Sequence, residues 1–342
     1  MNNDIIVSII CTVYNHERFL RKCLDGFIMQ KTNFKFEVLI HDDASTDNSA
    51  QIIKEFEKLY PQIIKPIYQK ENQYSKCIPF NWKYNIPRAL GKYIAICEGD
   101  DFWTDDHKLQ SQYDILEAHP DVIMSVHRVC VVNENGEPTD QLMPTKEQFD
   151  NERIMTRDEW IDLQLEYAWY FQTSCFFFRK DAIDNIIDKN IRTENWIDKR
   201  PEFMRIAPTG DEPLMLFLCQ KGGLAYINRE MSSYRIGSVG SWTTSMRNKE
   251  KRIKMLQSRI SMFKLYDAYT NYKYSDKINY LCLRNEFRIL DLQKRFKELL
   301  KPQYKQFLKE YNKNILKLYI YAYFPKLYGI ISRLRSRFSL HK

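Results

Sequence analysis

The first hundred residues alternate short apolar runs with segments that have helical spacing. Apolar runs between polar residues predict buried strands at 7–11, 36–40, 63–68 and 93–97. Apolar residues at three- and four-residue spacing predict a helix from about 17 to 30. A second helix is expected from a cap at Asp47 or Asn48 as far as Pro61. Strands that alternate with helices predict βαβ units and a mainly parallel sheet.

The pattern becomes less regular beyond residue 101 and then turns helical. Further elements are predicted as helices at 105–118 and 211–220 and as extended segments at 122–132 and 173–178. From about residue 248 the chain has helical character almost throughout. We therefore expect one α/β domain over residues 1–245, with halves at 1–120 and 121–245, and a helical, basic C-terminal region over 246–342.

Polar clusters follow three of the predicted strands, at residues 12–16, 41–47 and 98–103. In an open parallel sheet, ligands bind at the carboxyl ends of the strands. A single acidic loop is usually a solvated turn or a helix cap. Three polar clusters at the ends of strands in one sheet instead predict a shared binding crevice.

The cluster after the fourth strand holds three carboxylates within four residues, at Glu98, Asp100 and Asp101. Such a concentration of negative charge beside an apolar strand is costly unless a positive group binds there. Oxygen ligands without a nearby His or Cys suit Mg²⁺ or Mn²⁺, and the ion can also take diphosphate oxygens. The sequence therefore predicts a divalent cation that neutralises a departing nucleoside diphosphate.

The other polar residues suit a nucleoside and an acceptor. A Tyr just after a strand, such as Tyr14, can stack on a base, and Asp43 can accept the imide N–H of uracil or thymine. Taken alone, Asp43 is better explained as a turn former. Asp211 opens a helix, where it is either an N-cap or a base that deprotonates an acceptor hydroxyl. No G-x-G-x-x-G or P-loop pattern follows the first strand, which argues against dinucleotide and P-loop enzymes.

A resemblance rests on ordered motifs at 7–15, 42–47 and 91–101, and continues more weakly through 210–211 to 234–235. In these positions the chain resembles the family 2 glycosyltransferases of bacterial cell-surface polysaccharide synthesis. The resemblance implies an α/β, GT-A (Rossmann-like) fold, with a mainly parallel central sheet flanked by helices and a helical C-terminal extension. It also implies inverting, metal-assisted transfer from a UDP- or dTDP-sugar to an acceptor hydroxyl in capsule, O-antigen or similar glycan synthesis.

The resemblance also assigns expected roles to individual residues. Nucleotide contacts are expected from Thr12, Tyr14, Asn15, Asp42, Asp43 and Asp100. Asp100 is the first choice for a ligand of Mn²⁺ or Mg²⁺, assisted by Glu98 and Asp101, and Asp211 is the expected catalytic base. Candidates for the donor or acceptor pocket are Trp103, Glu212, Arg235 and Trp242.

Two positions depart from the family pattern. Glu98 stands where the family often has Asp, so its contact is expected through water or to the donor sugar. Many relatives place a His after the Tyr-Arg pair, whereas this chain has 236–238 as Ile-Gly-Ser. Arg235 is then either a phosphate partner or part of a structural ion pair. The Gly-rich loop at 237–242 can close over the donor.

The charge, cysteine and hydropathy patterns indicate the cellular compartment in which the protein is expected. Residues 301–342 carry ten Lys or Arg and one acid, which leaves the first 300 residues almost neutral. This tail is read either as a membrane-surface segment or as a helical hairpin with a solvated basic end. Eight cysteines without a C-x-x-C pair favour a reducing compartment. The N-terminus resembles no signal peptide, so we expect a cytoplasmic protein, peripheral on the inner face of the membrane if the tail binds lipid.

Three functional hypotheses remain open. A glycosyltransferase would act on a nucleotide sugar and on a glycan or lipid-linked glycan acceptor. A nucleotidyltransferase would also use paired Asp residues and Mg²⁺ but would need a basic Gly-rich phosphate loop, which the first strand lacks. A non-catalytic sugar-nucleotide or glycan-binding protein would tolerate the loss of Asp211. The body carries no basic stripe, so nucleic acid is not an expected partner.

Overall fold

The computed structural model of the chain describes residues 4–167, 171–188, 196–238 and 242–324. The chain divides into two compact units. The first, here called the sheet unit, comprises Met1–Pro201 and Gly210–Thr244. The second, the helical unit, comprises Glu202–Thr209 and Ser245–Lys342.

Strands of the described residues join into one sheet. They are β1 (Ile5–Val13), β2 (Lys35–Asp42), β3 (Ile64–Tyr68), β4 (Tyr93–Ile96), β5 (Phe102–Trp103), β6 (Val122–Val132), β7 (Pro138–Met143), β8 (Arg153–Met155), β9 (Phe177–Arg179) and β10 (Gly223–Arg235). Their order is β3-β2-β1-β4-β9-β6-β10-β5, with β7 paired to β6 and β8 paired to β10.

The sheet is parallel in its first half and mixed in its second. Strands β3, β2, β1 and β4 pair in parallel, as the βαβ pattern predicted. Strand β9 then lies antiparallel between β4 and β6, while β6 and β10 are parallel to each other. The expected α/β class is confirmed. The sheet is less uniformly parallel than predicted because β5, β7, β8 and β9 pair only antiparallel.

Helices account for much of the remaining described chain. They are α1 (Leu20–Ile28), α2 (Ser49–Leu59), α3 (Lys108–Ala118), α4 (Arg157–Tyr167), α5 (Glu202–Arg205), α6 (Asp211–Leu218), α7 (Trp242–Ser245), α8 (Lys249–Tyr269), α9 (Ser275–Leu292), α10 (Phe296–Leu299), α11 (Lys305–Glu310) and α12 (Ile315–Tyr323). Within the described residues, no helix is long and apolar enough to cross a bilayer.

The core of the sheet unit joins β1, β2 and β4 to the helices packed on them. Alternating residues of β1, such as Val7 and Ile9, pack with Leu24 and Phe27 from the apolar face of α1. The helical unit has its own core, in which α8 packs on α9 and Phe203 of α5 contacts the ring of Tyr266 at 5.2 Å between centroids. Each unit thus buries apolar side chains of its own.

Several local expectations need correction. The stretch 173–178, expected to be extended, begins with a 3-10 turn at Thr173–Cys175 before β9. Strands β7, β8 and β10 lay outside the predicted elements. The longest of them, β10, contains polar and charged residues from Asn228 to Glu230, which obscured its strand pattern.

A lysine at the start of α3 lies fully buried beside Trp103. The ammonium of Lys108 donates to Oε1 of Gln112 at 2.6 Å and stands 4.1 Å from the ring centroid of Trp103. Burial lowers the pKa of Lys108 to about 7. The folded protein therefore releases this proton at a lower pH than the unfolded chain does. Where the unfolded chain still binds the proton, this difference lowers the free energy of unfolding.

Replacing Lys108 by Met should therefore change how stability depends on pH. Between pH 7 and the ordinary lysine range, the unfolded wild-type chain binds the extra proton, so wild-type stability should rise with pH relative to Lys108→Met. The slope is at most ~1.4 kcal/mol per pH unit. Urea unfolding at several pH values measures it, with Lys58→Met on the surface as the control. Parallel pH profiles for wild type and Lys108→Met would show that this lysine carries no such penalty.

Candidate functional site

Backbone hydrogen bonds bring the three polar clusters to one edge of the sheet. The amide of Gly99 donates to the carbonyl of Thr12 at 2.9 Å, and the amide of Asp43 donates to the carbonyl of Val13 at 2.9 Å. These bonds extend the parallel ladders of β1 with β4 and β2 by the next residues. The loops after β2, β1 and β4 are therefore neighbours, as the sequence predicted.

The loop after β1 presents one aromatic ring to solvent. Tyr14 is 45% exposed, which leaves its ring accessible for stacking on a base. Asn15 has a φ of +56°, and its side-chain oxygen accepts the amide of Thr46 at 2.7 Å. Asn is among the residues that tolerate this left-handed conformation. The Asn15 side chain thus fixes the two loops to each other, and its contact with a nucleotide stays a prediction.

The two carboxylates at the end of β2 are both buried. Asp43 is only 3% exposed, and its two carboxylate oxygens accept the amides of Gln73 at 2.7 Å and Tyr74 at 3.0 Å. Burial raises the pKa of Asp42, opposed by hydrogen bonds from Ser45. Asp43 therefore anchors the 73–74 turn in this structure, and its pairing with a base N–H stays a prediction.

Four carboxylates converge beyond the end of β4. Burial, reinforced by the charges of Asp100 and then Asp211, raises the pKa of Glu98 to about 8. Burial and the charges of Asp100 and Glu98 also hold the pKa of Asp101 well above its usual range. Asp211, the first residue of α6, is thus close enough to Glu98 for the two charges to interact. The structure therefore brings the predicted metal ligands and the predicted base into one electrostatic site.

Arg235 at the end of β10 fixes the carboxylate loop. Its amide donates to the Asp101 carboxylate at 2.8 Å, and its Nε donates to the Asp100 carbonyl at 2.9 Å. Its Nη1 donates to the carbonyls of Asn133 and Glu134 at 3.3 and 3.0 Å, and the guanidinium lies 4.3 Å from the ring centroid of Phe19. These guanidinium contacts are to carbonyls and a ring and fix the loop, and both the phosphate role and the ion-pair role of Arg235 stay predictions.

Two side chains at this site were absent from the predicted set. Burial and the charges of Asp101, Asp100, Glu98 and Asp211, in that order, raise the pKa of Tyr234. The charges of all four carboxylates therefore act on the Tyr234 phenol. Thr173 adds a side-chain hydrogen bond to Glu98. The Tyr-Arg pair marks Tyr234 in the sequence, whereas nothing local marks Thr173, because only the insertion of β9 brings it here.

Close packing explains the glycine within the carboxylate loop. A Cβ on Gly99 would lie 2.8 Å from Nδ1 of His16 and 2.9 Å from a methyl of Val13. Such a contact is too short for any side chain, so only glycine lets the loop approach β1 this closely. Nδ1 of His16 is buried and has no hydrogen-bond partner among the described residues. The residue before Asp100 is thus fixed by packing.

The structure places the remaining predicted pocket residues in different environments. Trp103 was wrong as a pocket residue: it is 2% exposed, its Nε1 donates to the Ser174 carbonyl at 3.0 Å, and its ring packs on Phe27. It is apolar core because β5 turns inward to pair with β10. Glu212 is buried within α6. The side chain of Trp242 and residues 239–241 of the predicted donor loop lie outside the described residues.

The predicted set of three metal ligands is not assembled as a cluster. In the described part of the chain, the only three His, Cys, Asp or Glu residues with ligand atoms all within 4.8 Å of one another are Asp105, Asp106 and His107. Ion pairs account for that group, because Asp105 contacts Arg229 at 3.3 Å and Asp106 contacts Lys31 at 2.5 Å. One carboxylate oxygen of Asp101 already accepts a hydrogen bond from the Arg235 amide. Glu98 and Asp100 are therefore the better-placed pair of carboxylates for an ion.

Comparison with protein families agrees with this arrangement. The model of glycosyl transferase family 2 matches residues 8–187, which is more than half of the chain and includes all three polar clusters. The chain belongs to glycosyl transferase family 2. The resemblance seen in the motifs is thereby confirmed.

Individual proteins similar to this chain match it over part of its length. A protein of Mycobacterium tuberculosis described as uncharacterized is 31% identical over 245 residues, 72% of this chain and 63% of that protein. This chain thus spans less than two thirds of that relative. An uncharacterized glycosyltransferase of Nostoc is 27% identical over 194 residues, 56% of each protein. A minor teichoic acid biosynthesis protein of Bacillus subtilis is 35% identical over 111 residues, 32% of this chain and 24% of that protein.

Solved structures confirm the GT-A type of fold. A mannosyltransferase from Pyrobaculum calidifontis, solved with GDP-Man and Mn²⁺, superposes with a TM-score of 0.55 at 14% identity over 91% of this chain and 81% of that one. Residues 1–349 of TarS from S. aureus, solved with UDP, superpose with a TM-score of 0.53 at 14% identity over 94% and 82%. At this identity the likeness concerns the fold alone.

Replacing Arg235 by Lys tests the anchoring of the carboxylate loop. A lysine keeps the charge but cannot donate from a planar fork to three carbonyls at once, so we expect a loss of about 2 kcal/mol in the free energy of unfolding. Chemical denaturation measures this loss. Arg229→Lys, at an exposed arginine with its own ion pair, is the control and should change stability much less. Equal stabilities for the two variants would contradict the anchoring role.

Proposed function

We propose that this chain transfers a sugar from a UDP- or dTDP-sugar to an acceptor hydroxyl, with inversion at the anomeric carbon. The observation that carries the proposal is the convergence of Glu98, Asp100 and Asp211 at the carboxyl edge of a GT-A sheet. Family membership supports sugar transfer as the reaction. The exposed ring of Tyr14, on the neighbouring strand end, supports a nucleoside position beside these carboxylates.

A divalent cation fits the chemistry of this donor set. Carboxylates whose pKa is raised by burial and by one another are costly to keep ionised unless a cation binds them. Asp100 and Glu98 would hold Mn²⁺ or Mg²⁺, with Asp101 assisting from the side that faces Arg235. When bound, such an ion acts as a Lewis acid that neutralises charge on the diphosphate.

Asp211 is the proposed general base. Its carboxylate takes the proton of the acceptor hydroxyl while that oxygen forms a bond to the anomeric carbon of the donor sugar. The bond from that carbon to the diphosphate oxygen breaks on the opposite face, and the nucleoside diphosphate leaves. A single displacement of this kind inverts the anomeric configuration. The position of Asp211 at a helix start beside Glu98 supports this role.

The acceptor is proposed to be a glycan or a lipid-linked glycan of a bacterial surface polymer. Sequence similarity to a minor teichoic acid biosynthesis protein supports a surface polymer as the product. Such donors and acceptors meet on the cytoplasmic face of the cell membrane, and we propose that the chain works there. Among the residues that the structure describes, no contact favours a nucleotidyltransferase or a purely binding role over transfer.

Replacing Asp211 by Asn should abolish transfer without abolishing donor binding. An amide cannot accept the hydroxyl proton, so kcat should fall roughly 10²–10⁴-fold. Nucleoside diphosphate release from a panel of nucleotide sugars, with acceptor present, measures kcat, and calorimetry measures UDP binding.

The matched control is Asp276→Asn, an acid in the first turn of α9. It makes the same chemical change at a helix start outside the site, so it should leave transfer intact. Unchanged transfer by Asp211→Asn would remove Asp211 as the base. UDP binding by the wild-type chain without any nucleoside diphosphate release would instead favour the binding-protein alternative.

Replacing Asp100 by Asn tests the metal assignment. Mn²⁺ should raise the affinity of the wild-type chain for UDP, because the ion would join Asp100 to the diphosphate. In Asp100→Asn this metal-dependent gain should fall at least about tenfold, with UDP binding in EDTA unchanged. Asp105→Asn, in the ion-paired group of Asp105, Asp106 and His107, is the control. A gain retained in Asp100→Asn but lost in Asp105→Asn would move the ion to that group.

A further inference from the structure

The last described helix exposes an apolar face. Leu316 is 72% exposed, Phe324 61%, and Ile315, Tyr319 and Tyr323 are each 51% exposed. Four of these residues belong to α12, and on a helix with 3.6 residues per turn they lie within an arc of about 100°. Phe324 directly follows the helix. Leu318, which lies outside this arc, is buried in the core of the helical unit. We call the exposed set Ile315, Leu316, Tyr319, Tyr323 and Phe324 the α12 face.

A basic groove adjoins the α12 face. It has a volume of about 750 Å³, and Ile315 belongs both to its lining and to the α12 face. Lys305, Lys309 and Lys313 also line it, and no acidic residue does. Lys313 is paired with Asp291 at 2.7 Å, whereas Lys305 and Lys309 are exposed. Apolar and positively charged surfaces are therefore continuous on one side of the helical unit.

The surrounding sequence has the same charge. Residues 294–324 contain eight Lys or Arg and two Glu, and residues 325–342 add five Lys or Arg and no acid. Lys297 and Lys317 lie 5.5 Å from the ring centroids of Tyr323 and Tyr321. Long basic side chains beside aromatic rings are typical of helices that lie in a membrane interface, with apolar rings inward and ammonium groups toward phosphates.

We propose that the α12 face and its lysine groove dock the chain on the surface of an anionic lipid bilayer. Ile315 and Leu316 would enter the boundary of the acyl chains, the two tyrosines would lie at headgroup depth, and Lys305 and Lys309 would contact lipid phosphates. A second copy of the chain fits poorly, because a self-paired face would bring two lysine grooves together. Nucleic acid fits poorly as well, because exposed Ile and Leu side chains gain little from a phosphate backbone.

The first test measures binding of the full chain to vesicles, without any donor sugar. Binding to phosphatidylcholine vesicles that contain phosphatidylglycerol should exceed binding to phosphatidylcholine alone and should weaken as salt rises. Leu316→Glu should lower vesicle binding about tenfold, because a charge would replace a side chain buried in the interface. Leu59→Glu is the matched control, since Leu59 is 69% exposed on the sheet unit and should bind as wild type does.

The second test concerns the groove. Reversing Lys305 and Lys309 to Glu should lower binding by roughly 25-fold or more, since each lysine near an anionic surface contributes a factor of about five. Reversing the exposed Lys58 and Lys70 instead makes the same change in net charge and should have a much smaller effect. Circular dichroism and melting temperature confirm that each variant is folded.

Four outcomes would overturn the proposal. Equal binding by Leu316→Glu and Leu59→Glu would exclude the α12 face, as would equal binding to neutral and anionic vesicles. Conversion of a dimer to a monomer by Leu316→Glu, with vesicle binding unchanged, would assign the face to a second copy. A lower melting temperature with unchanged vesicle binding would mean that the chain's own segment covers it. None of these measurements uses a donor sugar, so they stand apart from the test of glycosyl transfer.

Discussion

Four carboxylates held together at one end of the sheet are the constraint on which the site depends. Glu98, Asp100, Asp101 and Asp211 repel one another, and burial raises the cost of keeping Glu98 and Asp101 ionised. Two hydrogen bonds from Arg235 hold the carboxylate loop in place: its amide donates to the Asp101 carboxylate and its guanidinium to the Asp100 carbonyl. Close packing around Gly99 holds the same loop against β1. Because the fold holds like charges close together, the site is suited to a ligand that brings a cation.

The first half of the site followed from the sequence because each signal was local. An apolar run, a polar cluster and a helical repeat occur together three times between residues 7 and 118, and parallel strands place their carboxyl ends side by side. Thr12, Asp43 and Glu98 were therefore expected as neighbours, and the backbone bonds of Thr12 and Asp43 bear this out. The order of β2, β1 and β4 was not predicted and is given by the structure.

The second half could not be derived in this way because its pairings are long-range. Strand β10 follows a helix, contains a charged stretch and pairs with both β6 and β5, so no periodic pattern marks it. Its pairing brings Tyr234 and Arg235 to the carboxylates from more than a hundred residues away. Trp103 was misjudged for a related reason. An aromatic residue beside an acidic loop suggests a binding surface, but β5 turns this ring into the core.

The most direct test of a cation–diphosphate site is a crystal structure of the chain with UDP and Mn²⁺, using the anomalous signal of manganese to place the ion. We expect one peak between the UDP diphosphate and Asp100, at a metal–oxygen distance of about 2.2 Å, with the uracil near Tyr14. An ion bound instead at Asp105, Asp106 and His107, or UDP bound away from the ends of β1 and β4, would contradict it.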